Sequence, residues 1–136
     1  MRVVLDTNVF VSGVFFRGAP YRILSAWRDG RLVPVFSVAI VEEYQRAGEK
    51  LGQRFPEVDL SPFLSLLLTS GSLCWPRALP RRVCQDPDDD KFISCALEGK
   101  CKNIVSGDVH LVTVSGYHGI TVWRPRAFVD RFLTSS

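Results

Sequence analysis

The stretch R-V-V-L-D-T-N at residues 2–8 decides how the rest of the chain is interpreted. Val3, Val4 and Leu5 form a short apolar run closed by polar residues, a pattern typical of a strand buried on both faces. Asp6 follows where this strand should end. Ligands of open α/β sheets bind outside the carboxyl ends of the strands, so a carboxylate there is well placed for chemistry. An aspartate after a strand is more commonly a turn or cap residue, so other acidic residues must decide its role.

Predicted strands and helices alternate along the chain. The other predicted strands are 32–36, 72–75, 103–106 and 120–123, and the predicted helices begin near Pro20, Ser37, Ser61, Pro87 and Pro125. Residues 10–17 indicate a loop or the start of a helix. Pro34 is awkward inside a central strand and indicates a strand end or an edge strand. The alternation predicts right-handed crossovers and a mostly parallel sheet with helices on both faces.

Length and composition indicate a single globular domain over residues 1–136, with 46% hydrophobic and 23% charged residues. No apolar run approaches the roughly 20 residues of a membrane helix, and Asp6 interrupts any signal-peptide pattern. We therefore expect a cytoplasmic protein with no membrane partner. The net charge of +3 is compatible with an anionic partner. If acidic residues gather in one metal-filled pocket, the remaining surface is more basic, which favours nucleic acid.

The four cysteines, Cys74, Cys84, Cys95 and Cys101, are spaced neither as a redox pair nor as a zinc site. The two histidines complete no Cys/His set. We therefore expect reduced structural thiols, with Cys95 in the core.

Three groups of carboxylates belong to the same edge of the predicted sheet. Asp6 and Asp108 each follow a strand, and the run D-P-D-D-D at residues 86–90 opens a helix at the carboxyl end of the strand before it. Capping and the helix dipole account for one or two aspartates, not for four. Like charges this dense require solvent, protons or bound cations. Oxygen ligands of this kind suit Mg²⁺ or Mn²⁺.

Glu43 adds a fourth carboxylate from the helix that begins near Ser37. Helical spacing places Glu43 about 60° from the centre of the apolar face, whereas Glu42 points almost opposite, towards solvent. Glu43 can therefore lean towards the same crevice. Hard cations held there would activate a water and stabilise the leaving oxygen of a phosphodiester. The sequence has neither a Ser-His-Asp or Cys-His nucleophile set nor a phosphate-binding glycine motif.

Four motifs in this order resemble those of a PIN domain, and more narrowly those of VapC-type toxins of prokaryotic toxin–antitoxin systems. They are D-T-N at 6–8, S-x-x-x-x-E-E at 37–43, D-P-D-D-D-K-F-I at 86–93 and S-G-D at 106–108. The resemblance covers nearly the whole chain. It implies a three-layer α/β/α sandwich with a five-stranded, mostly parallel sheet in the order 3-2-1-4-5. It also implies a metal-dependent endoribonuclease that uses one or two Mg²⁺ or Mn²⁺ ions.

The resemblance also assigns roles to residues. The catalytic, metal-binding quartet is Asp6, Glu43, Asp90 and Asp108, with Asn8 and Ser106 as polar neighbours. A helical wheel instead puts Asp89 at the centre of the apolar stripe, whereas the family's usual spacing to the last aspartate favours Asp90. We prefer Asp90 and keep Asp86 and Asp89 as possible auxiliary ligands. Candidates for contacts with RNA phosphates are Arg17, Arg77, Arg81 and Arg82.

Toxin-like PIN proteins pair with themselves and with a small antitoxin, so we expect RNA, an antitoxin and a homodimer or higher oligomer as partners. The apolar side of 63–68 or the last helix is a candidate contact surface. The alternative is a degenerate PIN fold that serves as a metal- or RNA-binding scaffold without nuclease activity. Phosphoryl transfer through Asp6 is a weaker alternative, because Asn8 stands where such phosphatases need a second aspartate.

Overall fold

The computed structural model describes residues 1–134, which form a five-stranded sheet flanked by helices. The strands are β1 (Arg2–Leu5), β2 (Val33–Phe36), β3 (Ser72–Leu73), β4 (Asn103–Val105) and β5 (Thr121–Trp123). All neighbouring strands are parallel, in the order β3-β2-β1-β4-β5. The predicted α/β class and strand order are therefore confirmed.

Seven α-helices connect or follow these strands. They are α1 (Thr7–Phe15), α2 (Ala19–Arg28), α3 (Val38–Gly52), α4 (Ser61–Ser70), α5 (Asp90–Glu98), α6 (Val109–Val112) and α7 (Pro125–Phe128), the last continued by a π-helical turn at Val129–Leu133. Short 3-10 turns lie at Pro87–Asp89 and Tyr117–Gly119. The chain crosses the sheet in one direction from β1 to β3 and in the other from β3 to β5. Because such crossovers are right-handed, α1 to α4 lie on one face and α5 and α6 on the other.

An aromatic stack fixes two helices over the end of β1. The rings of Phe10 in α1 and Tyr44 in α3 are parallel, with centroids 4.2 Å apart. The buried Tyr44 hydroxyl donates a 2.5 Å hydrogen bond to the carbonyl oxygen of Leu5. A buried hydroxyl needs such a partner. The contact holds Glu43, the neighbour of Tyr44, close to the residue that follows Leu5, which is Asp6.

Pro34 lies in β2, which is second from the edge of the sheet. β1 pairs with Pro34 through Val3, whereas β3 pairs only with Val35 and Phe36. The missing N–H of the proline therefore lies before the point at which β3 begins, where no ladder bond is lost. Pro34 therefore lies near the start of its strand, which is one of the two predicted positions, and β2 is not an edge strand.

The four cysteines are free and buried, as predicted. The Sγ atoms of Cys74 and Cys95 lie 3.1 Å apart, and Cys95 packs in the core from α5. None of the helices among residues 1–134 has the length and apolarity needed to span a bilayer.

Candidate active site

Asp6 lies at the carboxyl end of β1 and begins α1 as its N-cap residue. The apolar strand carries it inward, so that only 5% of Asp6 is exposed. Ser106 Oγ donates a 2.5 Å hydrogen bond to Asp6 Oδ2, and the backbone amides of Thr7 and Asn8 also favour the charged form. Burial outweighs these bonds and raises the pKa of Asp6, and the charge of Asp108 raises it further. Ionisation of Asp6 is therefore less favourable in the folded protein than in the unfolded chain.

Asp108 follows β4 and caps the short helix α6, which was not predicted. Its Oδ1 atom accepts a 2.8 Å hydrogen bond from the backbone amide of His110. The Asp108 amide itself donates to Ser106 Oγ at 2.9 Å. Because the Ser106 hydroxyl also donates to Asp6, one buried side chain joins the two aspartates. The structure thus brings the predicted residues Asp6, Ser106 and Asp108 together.

Asp89 ends the 3-10 turn that precedes α5, and it is 9% exposed. Its Oδ2 atom is the one buried side-chain oxygen or nitrogen among residues 1–134 that has no hydrogen-bond partner. Burial raises the pKa of Asp89 to about 6, and the charges of Asp108, Asp86 and Asp6 contribute. A buried carboxylate oxygen that faces like charges is costly unless a proton or a cation is bound.

Asp90 is the first residue of α5, and its carboxylate is engaged elsewhere. Oδ1 accepts a 2.7 Å hydrogen bond from the backbone amide of Cys84, and Oδ2 accepts one of 3.0 Å from that of Val83. Asp90 therefore anchors the Pro/Arg-rich loop that precedes α5. Successive side chains of a helix point about 100° apart, and the neighbouring carboxylate on which the charges of Asp108, Asp86 and Asp6 act is that of Asp89. Our preference for Asp90 as the ligand, which rested on family spacing, stays a prediction, and the hydrogen bonds of its carboxylate favour Asp89 as the alternative.

Glu43 faces the site from α3, and both of its oxygens have partners. The Thr7 hydroxyl donates to Oε1, and the ammonium group of Lys91 forms an ion pair with Oε2. Lys91 also contacts Asp88, with Nζ 2.9 Å from Oδ2. We call Asp6, Asp89 and Asp108 the aspartate group. Thr7 directly follows Asp6, so the structure brings Glu43 to the edge of this group. Thr7 makes this contact, whereas the predicted neighbour Asn8 is exposed.

Lys91 was missed by the sequence analysis. Burial lowers its pKa, but the hydrogen bonds and charges of Glu43 and Asp88 outweigh that effect, and the pKa of Lys91 is raised. It therefore stays charged. The sequence contains a signal for this residue, since a cation in the first turn of a helix opposes the helix dipole and needs a carboxylate partner.

The other predicted residues lie outside the aspartate group. Asp86 caps the 3-10 turn, with Oδ1 accepting a 3.0 Å hydrogen bond from the Asp88 amide. Arg17 lies beyond the far end of α1, roughly 13 Å along the helix from its start, and its guanidinium group covers the ring of Tyr21 at 4.4 Å. Of the other three arginines predicted to contact phosphates, Arg77 is exposed, and Arg81 and Arg82 line cavities described below.

The aspartates fit a hard divalent cation in their chemistry. Asp6, Asp89 and Asp108 offer only oxygen donors, which suit Mg²⁺ or Mn²⁺, and the unpartnered oxygen of Asp89 is available. Within residues 1–134, no three His, Cys, Asp or Glu side chains are arranged as a ready metal-binding group. The hydrogen bonds of Asp6 to Ser106 and of Asp108 to the His110 amide keep those carboxylates engaged with the protein. The oxygen ligands therefore suit such a cation, although the carboxylates are not arranged around a single metal position in this structure.

A parallel 3-2-1-4-5 sheet with aspartates at its carboxyl edge is the arrangement expected from the four sequence motifs. A family model described as "PIN domain" matches residues 2–110. The chain belongs to the PIN domain family. PIN domains are generally nucleases that use divalent metal ions. The match covers the stretch from β1 into α6 and thus includes every carboxylate of the site.

This PIN domain is also similar to an uncharacterized protein of the archaeon Methanocaldococcus jannaschii. The two sequences are 28% identical over 97% of this chain and 92% of that protein. No solved structure matches the chain.

Proposed function

We propose that this PIN domain is a metal-dependent endoribonuclease that hydrolyses phosphodiester bonds of RNA. The observation that carries the proposal is the buried, unpartnered Oδ2 atom of Asp89, whose ionisation is opposed first by burial and then by the charges of Asp108, Asp86 and Asp6. A counterion is the simplest remedy for this arrangement. It lies at the carboxyl edge of a parallel sheet, where ligands of such sheets bind.

In this proposal Asp6, Asp89 and Asp108 hold a Mg²⁺ or Mn²⁺ ion, and Asp89 takes the place that we first gave to Asp90. When bound, the ion supplies a water of lowered pKa and positive charge beside the phosphate oxygens. Water then replaces the 3′ oxygen at phosphorus, so that the products carry a 5′-phosphate and a 3′-hydroxyl group. Ser106 keeps Asp6 and Asp108 in a fixed relation through its two hydrogen bonds.

Glu43 and Lys91 are positioning residues in this scheme. Their ion pair, together with the hydrogen bond from Thr7, fixes the Glu43 carboxylate beside the aspartates. From this place Glu43 can accept a hydrogen bond from the attacking water. The positive charge of Lys91 lies at the same edge, where it favours the approach of an anionic phosphate.

The test is cleavage of structured RNAs, single-stranded RNA and single-stranded DNA in Mn²⁺, in Mg²⁺ or in EDTA. We expect wild type to cleave RNA only with metal, Asp6→Asn and Asp89→Asn to be inactive, and Asp90→Asn to lose much less activity than either. End-labelling of the fragments identifies the 5′-phosphate. If calorimetry shows no binding of Mn²⁺ and no RNA is cleaved, the chain is instead a degenerate scaffold.

We also propose that the protein is the cytoplasmic toxin of a type II toxin–antitoxin system. In this proposal it forms a homodimer or higher oligomer and is inhibited by a small antitoxin. The order of its four motifs and an exposed apolar surface support this. The exposed apolar residues are Leu68 of α4, Leu73 of the edge strand β3 and Trp75 after it, which are 70%, 45% and 71% exposed. Expression of wild type should arrest growth of a bacterial host, and Asp6→Asn should not. Light scattering reports the oligomeric state. Unimpaired growth would indicate a housekeeping ribonuclease.

A further inference from the structure

Two adjoining cavities, of about 430 Å³ and about 600 Å³, form a groove beside the aspartates. Both cavities are lined by Arg82, Val83 and Val114 and are therefore neighbours on the surface. One wall is the loop at residues 80–85, and the other is the segment 110–117, which includes α6 and the turn after it. We call this feature the 80–117 groove.

The smaller cavity of the 80–117 groove adjoins the candidate active site. His110, which lines this cavity, donates its backbone amide to Asp108. Cys84, on the opposite wall, donates its amide to Asp90. A chain lying in the groove would therefore run close to Asp108.

The loop wall of the groove is held in place by a single carboxylate. Asp90 accepts hydrogen bonds from the amides of Val83 and Cys84, the residues that directly follow Arg81 and Arg82. Charge-assisted bonds of this kind are strong and directional. Asp90 therefore fixes the two arginines opposite the 110–117 wall. This gives the carboxylate a role although it does not face the other aspartates.

The lining of the groove suits a single-stranded nucleic acid. Arg81 and Arg82 are exposed cations, and neither cavity is lined by an aspartate or a glutamate. Tyr117 supplies an aromatic ring in the larger cavity, next to the apolar side chain of Val114. Basic side chains that contact the backbone and aromatic rings that stack on bases are the general means of binding single strands.

We propose that the 80–117 groove binds the single-stranded RNA segment next to the cleaved phosphate. Arg81 and Arg82 contact its phosphates, and a base stacks on Tyr117. The inference rests on the proposed ribonuclease function, and it assigns a place and a strandedness to the substrate. Single-strand stacking on Tyr117 also predicts selection against duplex RNA, whose bases are not free to stack.

The experiment measures binding separately from cleavage. A fluorescent oligouridine of about 12 nucleotides, within the range of single-strand sites, is titrated in EDTA against the full chain carrying Asp6→Asn. In this background we expect the added double substitution Arg81→Ala and Arg82→Ala to weaken binding at least about tenfold. It should also lower the slope of log affinity against log salt by about 1.4, since each phosphate contact on a single strand contributes about 0.7. Tyr117→Leu should weaken binding at least about fivefold, whereas Tyr117→Phe keeps the stacking face and should bind as the parent.

Arg46→Ala is the matched control, because Arg46 is an exposed arginine of α3 that lines neither cavity. Thermal melts confirm that each variant is folded. The groove is overturned if the double variant binds as the parent, if Arg46→Ala weakens binding equally, or if duplex RNA of the same length binds more tightly. Cleavage by the unsubstituted chain is scored independently. If the unsubstituted chain cleaves RNA but the groove variants bind as the parent does, the RNA-binding role of the groove is refuted and the proposed nuclease function is not. If no RNA is cleaved but the groove variants bind more weakly, the proposed nuclease function is refuted and the RNA-binding role of the groove is not.

Discussion

The Asp6–Asp89–Asp108 group and the neighbouring Glu43–Lys91 pair differ in what balances their negative charge. Glu43 has a hydroxyl on one oxygen and an ammonium group on the other. Asp89 has a buried oxygen with no partner, and the pKa values of Asp6 and Asp89 are both raised, first by burial and then by neighbouring carboxylates.

The difference separates two uses of a carboxylate at one edge of a sheet. A carboxylate whose partners are all within the protein is already stabilised, and an added cation gains little there. A group of buried carboxylates without a cation leaves unfavourable energy that binding of an ion relieves. We therefore expect chemistry at the aspartates and positioning at Glu43. Four predictions test this division, from the largest effect to the smallest.

Replacement of Asp89 should have the largest effect. Asp89→Asn preserves shape but removes the charge that faces Asp6 and Asp108, so we expect RNA cleavage to fall more than about 100-fold, beyond the loss usual for an indirect partner of a metal. Initial rates in Mn²⁺ measure it. Asp90→Asn is the comparison variant one residue away. It removes one of the two acceptors that hold the loop carrying Arg81 and Arg82, so its activity should fall much less than that of Asp89→Asn. The reverse ranking of the two variants would restore Asp90 as the ligand.

Asp90 should matter more for stability than for the chemical step. Asp90→Ala leaves the amides of Val83 and Cys84 without their acceptors, and we expect the free energy of unfolding to fall by about 1–3 kcal/mol. Urea denaturation measures this change. Asp88→Ala is the control, because its exposed carboxylate is bound only to Lys91 and should cost less than about 1 kcal/mol. Equal losses in both variants would show that the loop is not anchored by Asp90.

Lys91 should limit the number of bound ions. Its ion pair occupies Glu43, so we expect one Mn²⁺ per wild-type chain and a second, weaker site in Lys91→Met. Cleavage should fall about tenfold, as for other indirect partners of a metal. Isothermal titration counts the ions, and Lys102→Met, an exposed lysine outside the site, is the control. Two ions bound to wild type would contradict the idea that Lys91 replaces one.

The smallest effect is a pH dependence of stability. The pKa of Asp89 is raised from 3.8 to about 6 in the folded chain, so the folded state binds the proton more tightly than the unfolded state. This contribution to stability is complete below about 3.8 and is lost as the pH rises through about 6. In EDTA, the melting temperature of wild type minus that of Asp89→Asn should therefore fall between about pH 4 and about pH 7. Excess Mn²⁺ should reduce this fall. A difference in melting temperature that does not change with pH would contradict the prediction.

Much of this molecule could be predicted from local patterns. The apolar run before Asp6 and the alternation of strands and helices depend on residues that are close in sequence, and they predicted the parallel sheet that the structure has. The strand order came from the resemblance of the four motifs, since periodicity does not order strands. The proximity of Asp6 and Asp108 follows from the sheet, because β1 and β4 are neighbours whose ends meet at one edge.

The choice between Asp89 and Asp90 was beyond sequence reasoning. The two residues share a charge and a helix start, and the wheel and the family spacing disagreed. In the structure, backbone amides of Val83 and Cys84, in a loop without regular structure, bind the carboxylate of Asp90, and these bonds favour Asp89 as the proposed ligand. Helix α6 was missed for a related reason, since its four residues are too few to show a period.

The sequence by itself determined the elements, the class of the sheet and the supply of carboxylates at its edge, because burial and capping are properties of short segments. Only the tertiary structure decided which carboxylates face one another and which are already satisfied. Those facts depend on partners distant in the chain, such as Ser106 for Asp6 and Lys91 for Glu43. The free energy of a buried charge depends on the groups that surround it after folding, and the sequence does not place those groups.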